Sequence, residues 1–210
     1  MSNSKQNDIV IDFIDPLFAV VLHISFVDLK ATHWFSDFRL IFIEPYSFHL
    51  MTLILVYLTM VLSWIGYHRS IKNNPINVEK TWGRCRFGLD IVLLIFYFIL
   101  VASYENFRRE LWVLFAIFVI FVFWDQAKRK EIPETSLDST ARRGVTVLWG
   151  FVFLCLAILS IWTSVDGSHS CKDWFILTAA ILSTIFYRWH KERLGWRPLL
   201  LKLGYPKAHV

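Results

Sequence analysis

Phe48-His-Leu-Met-Thr-Leu-Ile-Leu-Val-Tyr-Leu-Thr-Met-Val-Leu-Ser-Trp-Ile-Gly-Tyr67 is a run of twenty residues without one Asp, Glu, Lys or Arg. At about 1.5 Å of helical rise per residue, such a run spans a hydrocarbon core of about 30 Å. A water-soluble helix of that length carries a polar face, and none is present here. The run is therefore expected to be a helix crossing a bilayer. Five further apolar segments accompany it, at residues 13–29, 87–103, 111–124, 145–165 and 174–189. Together they predict an all-α integral membrane protein with six transmembrane helices in a single domain over residues 1–210. The segments at 13–29, 111–124 and 174–189 are short, and fit if flanking residues snorkel or if protein surrounds them.

Composition agrees. Only 19% of the 210 residues are charged, 56% are hydrophobic and 17% are aromatic; a soluble domain has about 25% charged residues. The net charge of +5 does not point to nucleic-acid binding by a soluble domain, because no stretch is long enough to fold into a separate basic face. It is better explained by topology. Of the 22 Lys and Arg residues, seventeen lie on the side of the two chain ends; only Lys30, Arg39, Arg108, Arg109 and Lys172 lie on the other. That bias places both termini in the cytoplasm. Trp34, Tyr46, Tyr104, Trp112, Trp162 and Trp174 fall near the outer ends, and Trp64, Tyr67, Trp82, Trp124, Trp149 and Trp189 near the inner ends, as aromatic belts do. Residues 191–210 mix Leu, Trp and Lys around Pro198 and Pro206 and are expected to lie along the inner interface. The polar, acidic stretch 1–12 lacks the basic start and cleavage site of a signal peptide.

Signatures of catalysis are missing: no GxSxG, P-loop, GxGxxG or HExxH occurs. Cys85, Cys155 and Cys171 lie far apart, with no CxxC pair or His/Cys cluster at metal spacing. The chain is thus read as a non-enzyme without a metal or cofactor. Asp90 is expected to form a structural ion pair with Arg84 or Arg86.

The first segment is the chemically unusual one. Asp12, Asp15, His23 and Asp28 make it costly to expose to lipid. At 100° per residue, Pro16, Val20, His23 and Val27 share one face, an arrangement that suits the wall of a water-filled path. The structural alternatives are a core histidine at His23 and a helix cap at Asp15 before Pro16.

Phe13-Ile14-Asp15-Pro16-Leu17-Phe18-Ala19-Val20 resembles the first-helix Phe-Ser-Asp signature of the endolysosomal-type potassium channels and their bacterial relatives. Trp64-Ile65-Gly66-Tyr67-His68-Arg69 is similar to that family's Trp-x-x-His-His pattern, with Tyr67 in place of the first His. Ile14 replaces the motif's Ser. A literal Phe35-Ser36-Asp37 lies too close to the second segment for a spanning helix to follow it. The resemblance covers residues 13–69 by motif and the rest by topology. It implies a homotetramer in the bacterial inner membrane, with the first helix of each subunit around a central pore. Val20 and Val27 are then apolar constrictions, and Phe13, Asp15, Trp64 and His68 a structural network. Bacterial members conduct potassium; a ring of His23 side chains, when protonated, favours anions such as chloride.

Small six-helix proteins of this kind also resemble the membrane effectors of Hailong-type anti-phage systems. There a partner nucleotidyltransferase makes a nucleic-acid signal, and the membrane protein opens to depolarise the cell. On that resemblance Arg84, Arg86, Lys128, Arg129, Lys130, Arg142 and Arg143 are candidate contacts for an anionic nucleotide or oligonucleotide; otherwise they are topology determinants. The expected partners are thus membrane lipid, further copies of the chain, the permeant ion and such a signal. Competing readings are a secondary transporter and a non-conducting membrane scaffold. Transporters use broken helices, whereas Gly66, Gly88 and Gly150 lie near helix ends here and Pro16 is the one proline inside a segment.

Overall fold

The computed structural model describes residues 16, 18–21, 23, 46–132, 136–162 and 170–202; side chains are described throughout these except at 46, 73, 136–141, 162 and 193–202. All regular structure among the described residues is helical. Residues 16, 18–21 and 23 are helical and form α1. The helices that follow are α2 (Tyr46–Asn73), α3 (Thr81–Val101), α4 (Phe107–Glu131), α5 (Ser136–Leu159) and α6 (Cys171–Lys202). A 3-10 turn, Ser160–Trp162, prolongs α5.

Three helical stretches are long and apolar enough to cross a membrane: Ser47–Lys72, Phe107–Glu131 and Arg142–Leu159. α3 carries Arg84, Arg86 and Asp90, and α6 carries Lys172, Asp173, Arg188 and Lys191, which shortens their uncharged centres. The apolar segment at 111–124, short by its apolar run, lies within a helix of 25 residues. It gains length at both ends. Asn106 caps the start, its side-chain oxygen accepting the Arg109 backbone N–H at 3.1 Å. Lys128, Arg129 and Lys130 sit in the last turn, where cations offset the helix dipole.

The distribution of side chains is that of a bundle in lipid. Phe175 is 73% exposed, Phe151 62% and Phe123 60%. Apolar area left in water costs about 25 cal/mol per Å², and exposed apolar surface on this scale marks contact with a membrane or with another protein; the three long apolar helices favour a membrane. The interior, conversely, holds Arg86, Asp90, Glu110, Glu131 and Asp173.

Aromatic contacts tie the helices together. Phe48 of α2 meets Phe107 of α4 and Trp174 of α6 edge-on, with ring centroids 5.2 and 5.3 Å apart. Near the middle, Phe118 of α4 stacks on Phe153 of α5 and meets Tyr187 of α6 edge-on, both at 4.7 Å. Each such pair contributes about 0.5–1.5 kcal/mol beyond burial. Between helices in lipid, packing of this kind replaces the hydrophobic drive that water would supply. α4 packs closely on α3 and α5, and α6 on α5 and α2; α2 and α4 are not closely packed, and a cavity lies between them.

Candidate functional site

α1 rests on the bundle through one face. Phe18 is 6% exposed, with its ring 5.5 Å from Tyr97 of α3, and Val21 is 1% exposed. The opposite face turns outward: Pro16, Ala19 and His23 are exposed and Val20 is 46% exposed. Of the four residues expected along a pore, Pro16, Val20 and His23 therefore share an uncovered face of the chain. Val27 lies outside the described residues, as do Phe13 and Asp15 of the motif network. The other half of that network is local to α2. Trp64 and His68, one turn apart, have ring centroids 4.5 Å apart, and His68 Nδ1 lies 3.3 Å from the Trp64 carbonyl.

The Lys/Arg-rich end of the bundle is cross-linked by polar contacts. Arg86 of α3 pairs with Glu131 of α4 at 3.1 Å. Glu131 also accepts the Asn77 backbone N–H at 2.6 Å, and Arg86 donates to the Asn74 carbonyl at 3.1 Å, fastening the α2–α3 connection. The Arg86 guanidinium lies 4.6 Å from the Trp124 ring centre, within cation–π range. The Trp124 indole N–H donates to Asp90 at 2.7 Å. Asp90 thus bonds an indole from α4, while Arg86 goes to Glu131. Arg84 instead donates to the Val78 carbonyl at 3.0 Å.

A second cluster joins α4, α5 and α6. Asp125 accepts from the Thr146 hydroxyl at 2.7 Å and from the Lys191 ammonium at 3.1 Å. Lys191 also donates to Tyr187 at 2.9 Å and Thr146 at 3.2 Å. Lys191 lies beyond the apolar run of α6. Burial alone would lower its pKa; the Asp125 carboxylate and Tyr187 outweigh that and hold it above the usual lysine value. The ammonium is therefore charged.

Between these clusters lies a cavity of about 350 Å³. Its wall is formed by α2 from Thr59 to Ser70, by Asn74 just beyond α2, by Asp90, Leu93 and Tyr97 of α3, and by Phe118, Phe121, Trp124, Asp125 and Lys128 of α4. Phe18, Arg142, Thr184, Tyr187, Arg188, Lys191 and Glu192 complete it. Gly66 makes room on α2: a Cβ there would overlap the Arg188 guanidinium. Arg188 is held in turn by Glu192 at 2.9 Å.

The seven basic residues singled out in the sequence are dispersed. Lys128 and Arg142 line the cavity. Arg86 is wholly buried against Glu131. Lys130 lies on the Trp82 face at 4.1 Å. Arg143 donates to Gln126 at 2.8 Å. Arg84 is exposed and Arg129 half-buried. Sequence reasoning passed over Arg69, Arg188 and Lys191, having counted them only for topology, and passed over Asp125, Thr146 and Glu131. One signal was present. Asp125 and Lys128 are three apart on α4, and Arg188, Lys191 and Glu192 are three and four apart on α6, spacings that put each group on one helix face.

No group of three or more His, Cys, Asp or Glu residues that could hold a metal ion occurs among the described residues. Comparison with protein-family models, with curated proteins and with solved structures finds no match to this chain.

Proposed function

We propose that the chain is an ion channel of the bacterial inner membrane. It crosses the membrane six times with both termini cytoplasmic and assembles as a homotetramer, with α1 of each subunit around the conducting path. One observation supports this above others: α1 buries Phe18 and Val21 against its own subunit and leaves Pro16, Val20 and His23 uncovered. Histidine facing lipid is unfavourable. A second copy of the chain covers that face, and copies around an axis make it a lined path. Val20 is then the apolar constriction and His23 the polar ring beside it.

The link to the endolysosomal-type potassium channels belongs to this proposal and rests on residues 13–20 and 64–69. The role as a membrane-depolarising effector of anti-phage defence, opened by a nucleotide or oligonucleotide, rests on the basic loops. Single-channel recording of the purified protein in a planar bilayer under a salt gradient tests the proposal. Unitary currents are expected. A reversal near the potassium potential favours the potassium-channel relationship; one near the chloride potential favours His23 and the basic residues as selectivity elements. Silence of the wild type and of Val20→Ser, with and without oligonucleotide, would remove the channel reading.

The cavity within one subunit favours a second reading, a secondary transporter with its site between α2 and α4. That reading predicts solute-coupled uptake into proteoliposomes without unitary currents.

A further inference from the structure

The cavity between α2 and α4 has two chemically different ends. Leu62, Leu93, Phe118 and Phe121 line its deeper part, and Lys128 and Arg142 stand toward the basic end. Three carboxylates also line it, each with at least one partner, though Asp90 Oδ2 is buried without a hydrogen bond. Asp125 is held by Lys191 at 3.1 Å. Glu192 is held by Arg188 at 2.9 Å and Arg69 at 3.8 Å. Asp90 takes the Trp124 indole at 2.7 Å, about one helical turn deeper than Lys128.

Among the described residues, neither Lys128 nor Arg142 has a carboxylate at ion-pair distance. Lys128 is only 9% exposed, and its ammonium donates to the neutral Ser70 hydroxyl at 2.7 Å. Arg142 Nε is buried without a hydrogen-bond partner. Buried cations are normally paired, so the buried Lys128 ammonium beside the half-buried Arg142, whose Nε has no hydrogen-bond partner, makes this part of the cavity receptive to an anion. The aromatic and leucine lining beyond them fits an apolar body rather than a hydrated ion.

We propose that this cavity binds a phosphate-bearing amphiphile. Lys128 and Arg142 hold the phosphate, and the chain lies along Leu62, Leu93, Phe118 and Phe121. The guanidinium fork of Arg142 matches two phosphate oxygens, and Lys128 supplies a point charge. The volume of about 350 Å³ lies near the lower end of ligand sites, about 300–1,000 Å³, which suits one chain rather than two. The site lies within one subunit, so it stands whether or not α1 lines a path.

The test measures binding, not current. The protein is placed in phosphatidylcholine nanodiscs and titrated with dodecyl phosphate, dodecylphosphocholine or inorganic phosphate, and followed by melting temperature and native mass spectrometry. Dodecyl phosphate is expected to bind and to raise the melting temperature. Dodecylphosphocholine, its charge masked by choline, is expected to bind at least about tenfold more weakly, as is dodecyl phosphate to Lys128→Met or Arg142→Gln. Leu62→Trp, which fills the chain end and leaves both cations in place, is expected to abolish dodecyl phosphate binding. Should either charge variant fail to fold, the other and Leu62→Trp decide. Unaltered affinity in the folded variants overturns the proposal. So does inorganic phosphate acting at the same concentrations as dodecyl phosphate, which would make the site one for a free anion.

Discussion

Arg86 of α3 and Glu131 of α4 meet at 3.1 Å with their side chains 0% and 1% exposed. The pair sits where the α2–α3 connection crosses the end of α4, and both partners also hold backbone groups of that connection. Removing one partner leaves a buried charge unanswered. Arg86→Ala or Glu131→Ala is expected to destabilise the protein by about 3–5 kcal/mol. The double variant Arg86→Met/Glu131→Leu, which removes both charges and keeps volume, is expected to lose less than either single change. Thermal melting of the four proteins in one detergent checks the order.

Two glycines of α3 are expected to respond with opposite signs. A Cβ at Gly83 would overlap the Asn77 carbonyl, which is backbone and cannot swing aside, whereas a Cβ at Gly88 meets nothing within 4 Å. Gly83→Ala must displace the connection that Arg86 and Glu131 fasten. Gly88→Ala only removes the conformational cost of glycine in a helix, about 0.8–1 kcal/mol. A lowered melting point for the first and an unchanged or raised one for the second is the expected result.

These two sites show what a sequence reveals and what it hides. The helices were legible because a bilayer demands long uncharged runs; residues 48–67 lie inside a helix spanning Tyr46–Asn73. Their ends were not, because helical backbone continues past the apolar run into Lys72 and into Lys128–Lys130, where cations offset the helix dipole. Within segment 145–165, α5 gives way at Ser160–Trp162 to a tighter turn, where Arg108 of α4 donates to the Ser160 and Ile161 carbonyls. Pairings were the least legible. Asp90 has Arg86 one turn away in sequence, yet Arg86 reaches Glu131, 45 positions on. That choice depends on how α3 and α4 face each other, which no local pattern encodes. That Pro16, Val20 and His23 share a face follows from the 100° period of a helix; the cavity follows from no local pattern, since five helices and part of α1 build it.

The native cysteines report topology. Cys85 is exposed at the start of α3, at the basic end, and Cys171 is exposed at the start of α6, at the opposite end. On the proposed orientation, with both termini cytoplasmic, a membrane-impermeant maleimide is expected to label Cys171 in intact spheroplasts and Cys85 only after permeabilisation. The reverse pattern would invert the orientation, and labelling of both in intact cells would remove the membrane between them.

Asp125 and Lys191 give a prediction with a pH sign. The Lys191 pKa is raised above its ordinary 10.5, so the stability it contributes is fully present below about pH 10.5 and is lost as pH rises through the higher folded value. Asp125→Asn removes the charge that holds it there while keeping an acceptor for Thr146. That variant is expected to melt lower than wild type at neutral pH, by an amount equivalent to about 1–3 kcal/mol. The gap should close in strongly alkaline buffer, where Lys191 is neutral in both proteins. A gap that widens with pH would show that Lys191 is not the group responsible.

Val20 carries the test of the path itself. It is 46% exposed on the outward face of α1, one turn from Pro16 and three residues from His23. In a conducting assembly an apolar ring at this level excludes water, and hydroxyl groups there let the constriction wet. Val20→Ser is expected to raise leak conductance several-fold in proteoliposomes, and His23→Ala to change the reversal potential without abolishing current. On a lipid-facing helix the same serine would have no axis to wet; it would cost slight stability and leave ion flux at the level of empty liposomes. The buried neighbour Val21, 1% exposed, supplies the control. Val21→Ser alters packing against the bundle, not the outward face, so it is expected to lower the melting point and leave conductance unchanged. Equal leak from Val20→Ser and Val21→Ser would mean that loosened packing, not a wetted ring, carries the ions.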